Sequence, residues 1–153
     1  MIDIVTAIAR EPARSSMPPA HHVGITVSDL DRAVSFYREV LDLPVLDRFS
    51  VSGEAFATGV DVPAATGRFA HLDADGIRLE LVEYDPEGTP AGVDSINQPG
   101  AKHLGLAVDD LDAFYASLPE DVPTLSTPQT TESGTRICFL QDPEGNLIEL
   151  LET

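Results

Sequence analysis

Residues 22–31 read HVGITVSDLD, and residues 103–112 read HLGLAVDDLD. At this offset of 81 positions, six of ten residues are identical, including the leading histidine, the glycine and three acidic or apolar positions at the end of the block. A second block repeats at an offset of 69, where GIRLELVE at 76–83 matches GNLIELLE at 145–152. Blocks repeated in the same order indicate duplicated structural units. The chain is therefore predicted to contain two similar halves, each opening on a histidine and closing on a glutamate block.

The first block of each half has the pattern of a strand followed by a helix. Apolar residues alternate with polar or small ones over 22–27 and again over 103–108, which is the period of a strand with one apolar face. Acidic residues follow, where side-chain oxygens cap the first amides of a helix. Apolar residues then recur at helical spacing, at Leu30, Ala33, Val34, Tyr37 and Leu41 and at Leu111, Phe114, Tyr115 and Leu118. The helices are expected to cover the apolar faces of the strands.

Each half continues with further predicted strands. They lie near residues 45–51, 67–72 and 77–84 in the first half and near 135–141 and 146–151 in the second. The turn sequences DADG and DPEG precede the last strand of each half. We therefore predict an α+β fold made of two tandem βαβββ modules.

The repeats and the composition divide the chain into an N-terminal extension and one domain, which consists of two modules and a linker. A single domain is predicted over 20–153, with module one at 20–84 and module two at 101–153. The linker at 85–100 is rich in proline and glycine. Residues 1–19 lie outside the repeat and are expected to be an N-terminal extension, either mobile or the product of a misassigned start codon.

The charge balance excludes one class of partner. The chain carries 26 Asp and Glu against 9 Lys and Arg, a formal net charge of −17. Such a surface cannot neutralise phosphates, which excludes a nucleic-acid-binding protein. Because 42% of residues are nevertheless apolar, the acids must coat a folded body. An acid-rich surface that is nearly free of lysine is what a protein in a salt-rich cytoplasm would carry, and we expect this halophile type.

Other features of the sequence bear on location. No stretch approaches the roughly 20 apolar residues of a membrane span, and residues 1–17 lack the order of a signal peptide. A cytoplasmic protein without a membrane partner is expected. Cys138 is the sole cysteine, which excludes an intrachain disulfide, and its setting in an apolar strand predicts a small core residue.

The alternation of side chains along the predicted strands puts the repeated histidines and glutamates on the same face, where they form a candidate metal site. His22 and His103 lie on the strand face opposite the helix, and Glu80 and Glu149 are each flanked by apolar residues that point to the helix. If both sheets curl with these faces inward, the four residues converge. Two imidazoles and two carboxylates suit a divalent metal such as Ni, Co, Zn, Mn or Fe(II), with positions left for water or substrate.

The alternative interpretation is that each residue is an ordinary pocket or surface group, which is the more common case for one histidine or glutamate alone. Duplication of both at equivalent positions argues against it. A buried pair of carboxylates without a cation would also be strongly destabilising.

Four stretches together resemble the vicinal oxygen chelate superfamily, which includes glyoxalase I, methylmalonyl-CoA epimerase, extradiol dioxygenases, and fosfomycin- and bleomycin-resistance proteins. They are residues 21–38, 79–83, 103–110 and 139–150. The resemblance covers 20–153 and implies paired βαβββ modules that form a cupped mixed sheet around a metal, often in homodimers. Asp42 departs from the pattern, because family members usually have glycine after the first helix.

The resemblance also orders the possible activities. A His/Glu/His/Glu set is similar to that of bacterial-type glyoxalase I, a lyase that acts on the hemithioacetal of a 2-oxoaldehyde and a thiol. Epimerases of the family usually carry glutamine where Glu80 stands, and the dioxygenases use two histidines and one carboxylate. A glyoxalase-like enzyme with a small-molecule substrate is thus favoured. A methylmalonyl-CoA epimerase-like enzyme, an extradiol dioxygenase and a non-catalytic drug-binding protein stay open.

The same resemblance implies roles for the four residues. Glu149 is expected to be the base that leaves the metal and removes a proton next to the substrate carbonyl, giving an enediolate. Glu80 would be its counterpart on the other side of the substrate, with His22 and His103 as fixed ligands.

Three further residues are candidates for substrate contacts. Arg78 and Arg136 are suited to hold a carboxylate or phosphate, although either is as well explained as a surface arginine paired with an acid. A symmetric turn after Asp73 would set His71 opposite Arg78 and near Glu80.

Overall fold

A computed structural model describes residues 17–92 and 94–153. The prediction of an N-terminal extension therefore falls, for residues 1–16, outside the described residues. In chain order the elements are β1 (Val23–Thr26), α1 (Leu30–Glu39), β2 (Val45–Val51), α2 (Glu54–Val60), β3 (Thr66–Asp73), β4 (Arg78–Asp85), β5 (His103–Ala107), α3 (Leu111–Ser117), β6 (Gln129–Thr130), β7 (Arg136–Gln141) and β8 (Leu147–Glu152). The longest helix in this part of the chain has ten residues, and none could cross a membrane.

The strands form two four-stranded mixed sheets with the same topology. The first has the order β1-β4-β3-β2 and the second β5-β8-β7-β6. In each, the first strand runs parallel to the last and the other pairs are antiparallel. The predicted α+β fold of two βαβββ units is thereby confirmed.

Two elements were not predicted. Helix α2 lies in the connection between β2 and β3, residues 52–65. No stripe of apolar residues at helical spacing predicted it, and none of its residues is buried. In the second unit the equivalent connection, between β6 and β7, is shorter and consists of residues 131–135. The counterpart of β2 there is β6, which has two residues and too little sequence to show an alternation.

Repeated acidic residues determine where the two equivalent helices, α1 and α3, begin. Asp29 and Asp110 are the N-caps, and each accepts a hydrogen bond from the amide three residues later. Glu83 accepts from the amide of Leu30 at 2.7 Å, and its repeat equivalent Glu152 accepts from the amide of Leu111 at 2.8 Å. Carboxylates here satisfy free amides and favour the positive end of the helix. This explains why the glutamate that closes each block is repeated.

At its other end, α1 is followed by a residue in the left-handed region. Asp42 has φ 59°, a conformation that glycine adopts most easily. The departure from the family pattern at this position thus concerns a backbone conformation at the helix end.

The two units share one apolar core on their helix-covered faces. Leu79 and Leu81 of β4, and Ile148 and Leu150 of β8, are fully buried in it. Cys138 is buried in the same cluster, as predicted, and burial raises the pKa of its thiol.

The turn between β7 and β8 locks the units together. Tyr37, fully buried on α1, donates a hydrogen bond to Asp142 at 2.7 Å, and burial together with that carboxylate raises the pKa of the phenol. Glu144 accepts from Ser28 Oγ at 2.8 Å and from Arg32 at 2.9 Å. Burial alone would raise the pKa of Glu144, but these hydrogen bonds outweigh it and lower the pKa. The units therefore meet through α1 and this turn.

Candidate metal centre

The uncovered face of the first sheet carries one histidine–glutamate pair. Gly24 of β1 lies beside Glu80 of β4 in the parallel register, and His22 precedes β1. His22 Nε2 is 3.5 Å from Glu80 Oε1. The imidazole is 37% exposed and the carboxylate 14%, so the pair is accessible from the open face.

The second sheet repeats the arrangement. Gly105 of β5 lies beside Glu149 of β8, and His103 Nε2 is 3.3 Å from Glu149 Oε2. The imidazole is 40% exposed and the carboxylate 22%. Glu80, His103 and Glu149 thus lie on the strand faces predicted for them, whereas His22 lies just before β1.

The donor chemistry of each pair fits a divalent metal. Two ligands that bind one ion at about 2.1 Å and at octahedral to tetrahedral angles are separated by about 3.0 to 3.4 Å. The observed separations of 3.5 and 3.3 Å are close to this range. Gly24 and Gly105 leave space beside the carboxylates, since an added Cβ would lie 3.8 Å from a carboxylate oxygen in each case.

The four residues do not come together within one chain. Across residues 17–92 and 94–153, no three His, Cys, Asp or Glu side chains are grouped so as to hold a metal ion. The expectation that the two open faces turn toward each other is not met. The physical reason is that the units pack through their helix-covered faces and through the Asp142–Gly145 turn, which leaves the two pairs apart.

The first pair has a third partner, His71. Its Nε2 donates to Glu80 Oε2 at 2.7 Å, and the residue is only 8% exposed. Residues 71 and 80 are direct register partners, whereas Asp73 stands opposite Arg78. The predicted proximity of His71 to Glu80 is observed, but the predicted pairing with Arg78 is wrong, because the register is shifted by two residues. In the second unit, Phe139 is the register partner of Glu149.

A fourth histidine completes the first cluster. His21 Nδ1 lies 2.8 Å from His22 Nδ1, and Arg78 Nη1 lies 3.4 Å from His21 Nε2. His21 was not predicted as a site residue, because adjacent residues of a strand point to opposite faces. In the structure β1 begins only at Val23, so this rule does not apply to His21 and His22. The sequence signal that could have identified His21 was its position directly before His22.

Arg136 lies away from both pairs. Its guanidinium donates to Asp112 at 2.7 and 2.9 Å, on the helix-covered side of β7. Arg68 contacts Asp31, the repeat equivalent of Asp112, at 3.4 Å. The guanidinium of Arg136 is thus committed to the start of α3, which is the ion-paired alternative considered for it.

Aromatic side chains cover the rest of the open face of the first sheet. The rings of Phe49 and Phe69 stack with centroids 5.1 Å apart, and Phe49 meets His71 edge-on at 5.1 Å. Phe56 of α2 and Tyr84 extend the cluster. The pair of His22 and Glu80 therefore borders an apolar surface, to which the unpredicted helix α2 contributes.

Comparisons with known proteins agree with this architecture. The family model for the Glyoxalase/Bleomycin resistance protein/Dioxygenase superfamily matches residues 20–150. A 2-epi-5-epi-valiolone epimerase from an Actinomyces species is 32% identical over 141 residues, which are 86% of this chain and 77% of that protein.

Among solved structures, a glyoxalase family protein from Bacillus cereus has a TM-score of 0.79 and 25% identity, covering 92% of this chain and 97% of that one. The trypanothione-dependent glyoxalase I of Leishmania major has a TM-score of 0.59 and 27% identity, covering 88% and 86%.

Proposed function

The chain belongs to the Glyoxalase/Bleomycin resistance protein/Dioxygenase superfamily, and on this premise we propose that it is a divalent-metal-dependent lyase or isomerase of the glyoxalase I type. The reaction is a proton transfer at a carbon next to a carbonyl. The observation that carries the proposal is the duplicated pair, one histidine and one glutamate at equivalent positions of both sheets with donor separations of 3.5 and 3.3 Å. His22, Glu80, His103 and Glu149 are the proposed ligands.

A homodimer completes the ligand set in this proposal. Within residues 17–92 and 94–153, β1 pairs only with β4 and β5 only with β8, so each sheet ends in an open edge beside its histidine. Open edges are ready to meet another chain. A cleft of about 730 Å³ borders β5, and one of about 360 Å³ borders the end of β1. Edge-to-edge contact of β1 with β5 of a second copy would bring one pair from each chain together, twice per dimer.

The surroundings of the two glutamates support different roles for them. The hydrogen bond from His71 restrains Glu80, which favours a fixed ligand. Glu149 faces Phe139 in the register and has no such donor among the described side chains. Glu149 is therefore the proposed base, which removes the proton and returns it to the neighbouring carbon. The chemistry that a bound divalent metal supplies is polarisation of the substrate carbonyl.

Epimerisation is the second candidate, because the relative that is 32% identical is named for that activity. An epimerase and a glyoxalase share the first half of the reaction, in which a carboxylate removes a proton next to a carbonyl. They differ in where the proton returns. A ketone such as 2-epi-5-epi-valiolone would regain it at the same carbon, whereas a hemithioacetal would regain it at the adjacent one.

The first test is metal content together with proton exchange. We expect about one divalent ion per chain after native purification and metal-dependent uptake of solvent deuterium next to the carbonyl. Methylglyoxal with a thiol, methylmalonyl-CoA and 2-epi-5-epi-valiolone form the substrate panel. Assays belong in molar salt, where the repulsion expected from 26 acidic residues is screened. Less than one ion per two chains would favour a non-catalytic binder, and oxygen consumption with a catechol would favour a dioxygenase.

A mixing experiment tests whether two chains share each centre. His22→Gln and His103→Gln should each lose metal as a pure protein. In a mixed dimer of the two variants, one centre carries both substitutions and the other carries neither. Random exchange should therefore restore metal to about a quarter of the centres. No restoration in exchanged dimers would contradict a centre shared between chains.

A further inference from the structure

Arg78 differs from every other arginine that the structure describes. Each of the others has a carboxylate oxygen within 4.0 Å; these are Arg32, Arg38, Arg48, Arg68 and Arg136. Arg78 has no carboxylate partner among residues 17–92 and 94–153, although the chain carries 26 acidic residues. Asp73 stands opposite in the register, but its carboxylate accepts from the amide of Asp75 at 2.9 Å and so closes its own turn. Since no carboxylate of the described residues neutralises it, this guanidinium is available to an anion from outside the protein.

The position of Arg78 connects it to the proposed metal centre. It lies two residues before Glu80 on the same face of β4, which is about 7 Å along the strand. Its contact in the structure is His21, at 3.4 Å from Nη1 to Nε2, and His21 contacts the proposed ligand His22 at 2.8 Å. Arg78 and His21 are therefore linked by side-chain contacts to His22, which is a proposed metal ligand.

The tautomers along this chain follow from metal binding at His22. A neutral imidazole that binds a metal through Nε2 carries its proton on Nδ1. The Nδ1–H of His22 must then donate to Nδ1 of His21, so His21 carries its own proton on Nε2. Both groups at the Arg78 end are now donors, 3.4 Å apart, and neither can accept from the other. An anionic oxygen within hydrogen-bond distance of both nitrogens would accept from each of them, in place of water.

We infer that Arg78 and His21 form an anion-binding subsite for a carboxylate or phosphate group of the substrate. This inference rests on the proposed function, since it takes His22 as a ligand. A guanidinium and an imidazole N–H are strong donors to such a group. The anion would lie roughly 7 Å from Glu80, which restricts the substrate to molecules whose anionic group is a few bonds from the reacting carbon.

The second unit has no equivalent subsite. The repeat aligns Arg78 with Leu147, which lies on the open face of β8 two residues before Glu149. A substrate with one anionic end would therefore bind in a single orientation, with that end over the first unit. Its reacting carbon would then face the two glutamates in a fixed order, which a symmetric pair of half-sites could not ensure.

The test compares zinc-loaded wild-type protein with Arg78→Gln and with the matched control Arg38→Gln, whose arginine is exposed and paired with Glu39. Inorganic phosphate and acetate are titrated separately at constant chloride, and binding is followed by calorimetry and by the imidazole NMR signals of His21 and His22. We expect Arg78→Gln to weaken anion binding about tenfold or more, with the control unchanged. Phosphate binding at least tenfold tighter than acetate binding would identify a phosphate-bearing substrate, and similar affinities a carboxylate.

Zinc content, measured on the same samples, separates the two proposals. If zinc is bound by all three proteins but both anions bind Arg78→Gln as tightly as wild type, the subsite is excluded while the metal centre stands. If the wild-type protein does not bind zinc, the proposed function fails first.

Discussion

The two histidine–glutamate pairs of this protein, which are the proposed half-sites, have the same residue types and differ in what surrounds them. In the first, Glu80 is held by His71 at 2.7 Å. In the second, the position equivalent to His71 in the register is Phe139, whose ring meets His103 edge-on at 5.3 Å. The two units thus have the same histidine and glutamate at equivalent positions and differ in the neighbour of the carboxylate.

This difference indicates how a symmetric arrangement can support a directional reaction. A carboxylate that accepts a hydrogen bond from a buried imidazole has fewer orientations open to it than one beside a phenyl ring. Glu80 is suited to stay in place, and Glu149 to move between ligand and base.

The largest expected effect comes from replacing the two glutamates separately. Glu149→Gln should lower the rate of proton exchange by about 100- to 10,000-fold, the usual contribution of a general base, while keeping metal at or near one ion per chain. Glu80→Gln should reduce metal occupancy more and the rate per bound metal less. Metal analysis and deuterium exchange on the same samples measure both.

His71→Phe converts the first half-site to the pattern of the second and is the control for the comparison. It should free Glu80 and so reduce the difference between the two glutamate variants. If Glu80→Gln abolished exchange at full metal occupancy while Glu149→Gln did not, the roles would be reversed.

Most of the fold could be predicted because duplication and alternation are local signals. The repeated blocks located both histidines and both glutamates, and β2 has the predicted bounds. The predicted faces of Glu80, His103 and Glu149 also agree with the structure, since the period of a strand fixes which side chains share a face.

What could not be predicted depends on how elements pack. Nothing in the sequence indicated that the units meet through α1 and the Asp142–Gly145 turn, so the four ligands were expected to converge in one chain. The ion pair of Arg136 with Asp112 could not be identified in advance, because the two residues are 24 positions apart in sequence. His21 lay just outside the strand, beyond the reach of the alternation rule.

The turns before the last strands offer a second comparison of the two units. Asp142 is 4% exposed and accepts from Tyr37, and also from the amide of Asn146 at 2.9 Å. Its repeat equivalent Asp73 is exposed and accepts only within its own turn. Asp142→Ala should lower the free energy of unfolding by about 3 kcal/mol, because it leaves a buried phenol unpaired. Asp73→Ala should change it by less than about 0.5 kcal/mol.

Chemical denaturation of both variants measures this difference. Tyr37→Phe combined with Asp142→Ala should recover part of the loss, since the unpaired hydroxyl is then removed. Equal destabilisation by the two aspartate variants would mean that the buried hydrogen bond does not hold the units together.

The smallest expected effect is on stability in acid, and it concerns Glu144 and its repeat equivalent Asp75, which lie in the turns before the last strands. Glu144 bridges to Ser28 and Arg32 of the other unit, whereas its equivalent Asp75 is exposed. Because the pKa of Glu144 in the folded protein is lowered below its ordinary value of 4.5, the folded state favours the carboxylate. The resulting stability is present above pH 4.5 and is lost as the pH falls through the lowered pKa.

Glu144→Gln should therefore reduce stability at pH 7 by about 1 kcal/mol and flatten the decline of stability below pH 4.5, while Asp75→Asn should leave the decline as in wild type. Denaturation midpoints of the three proteins between pH 3 and pH 7, at constant salt, measure this decline of stability. The effect is limited because Arg32 is half-exposed and solvent screens its charge. A decline as steep in Glu144→Gln as in wild type would assign the acid sensitivity to other carboxylates, and the contact between the units would then depend on Tyr37 and Asp142 alone.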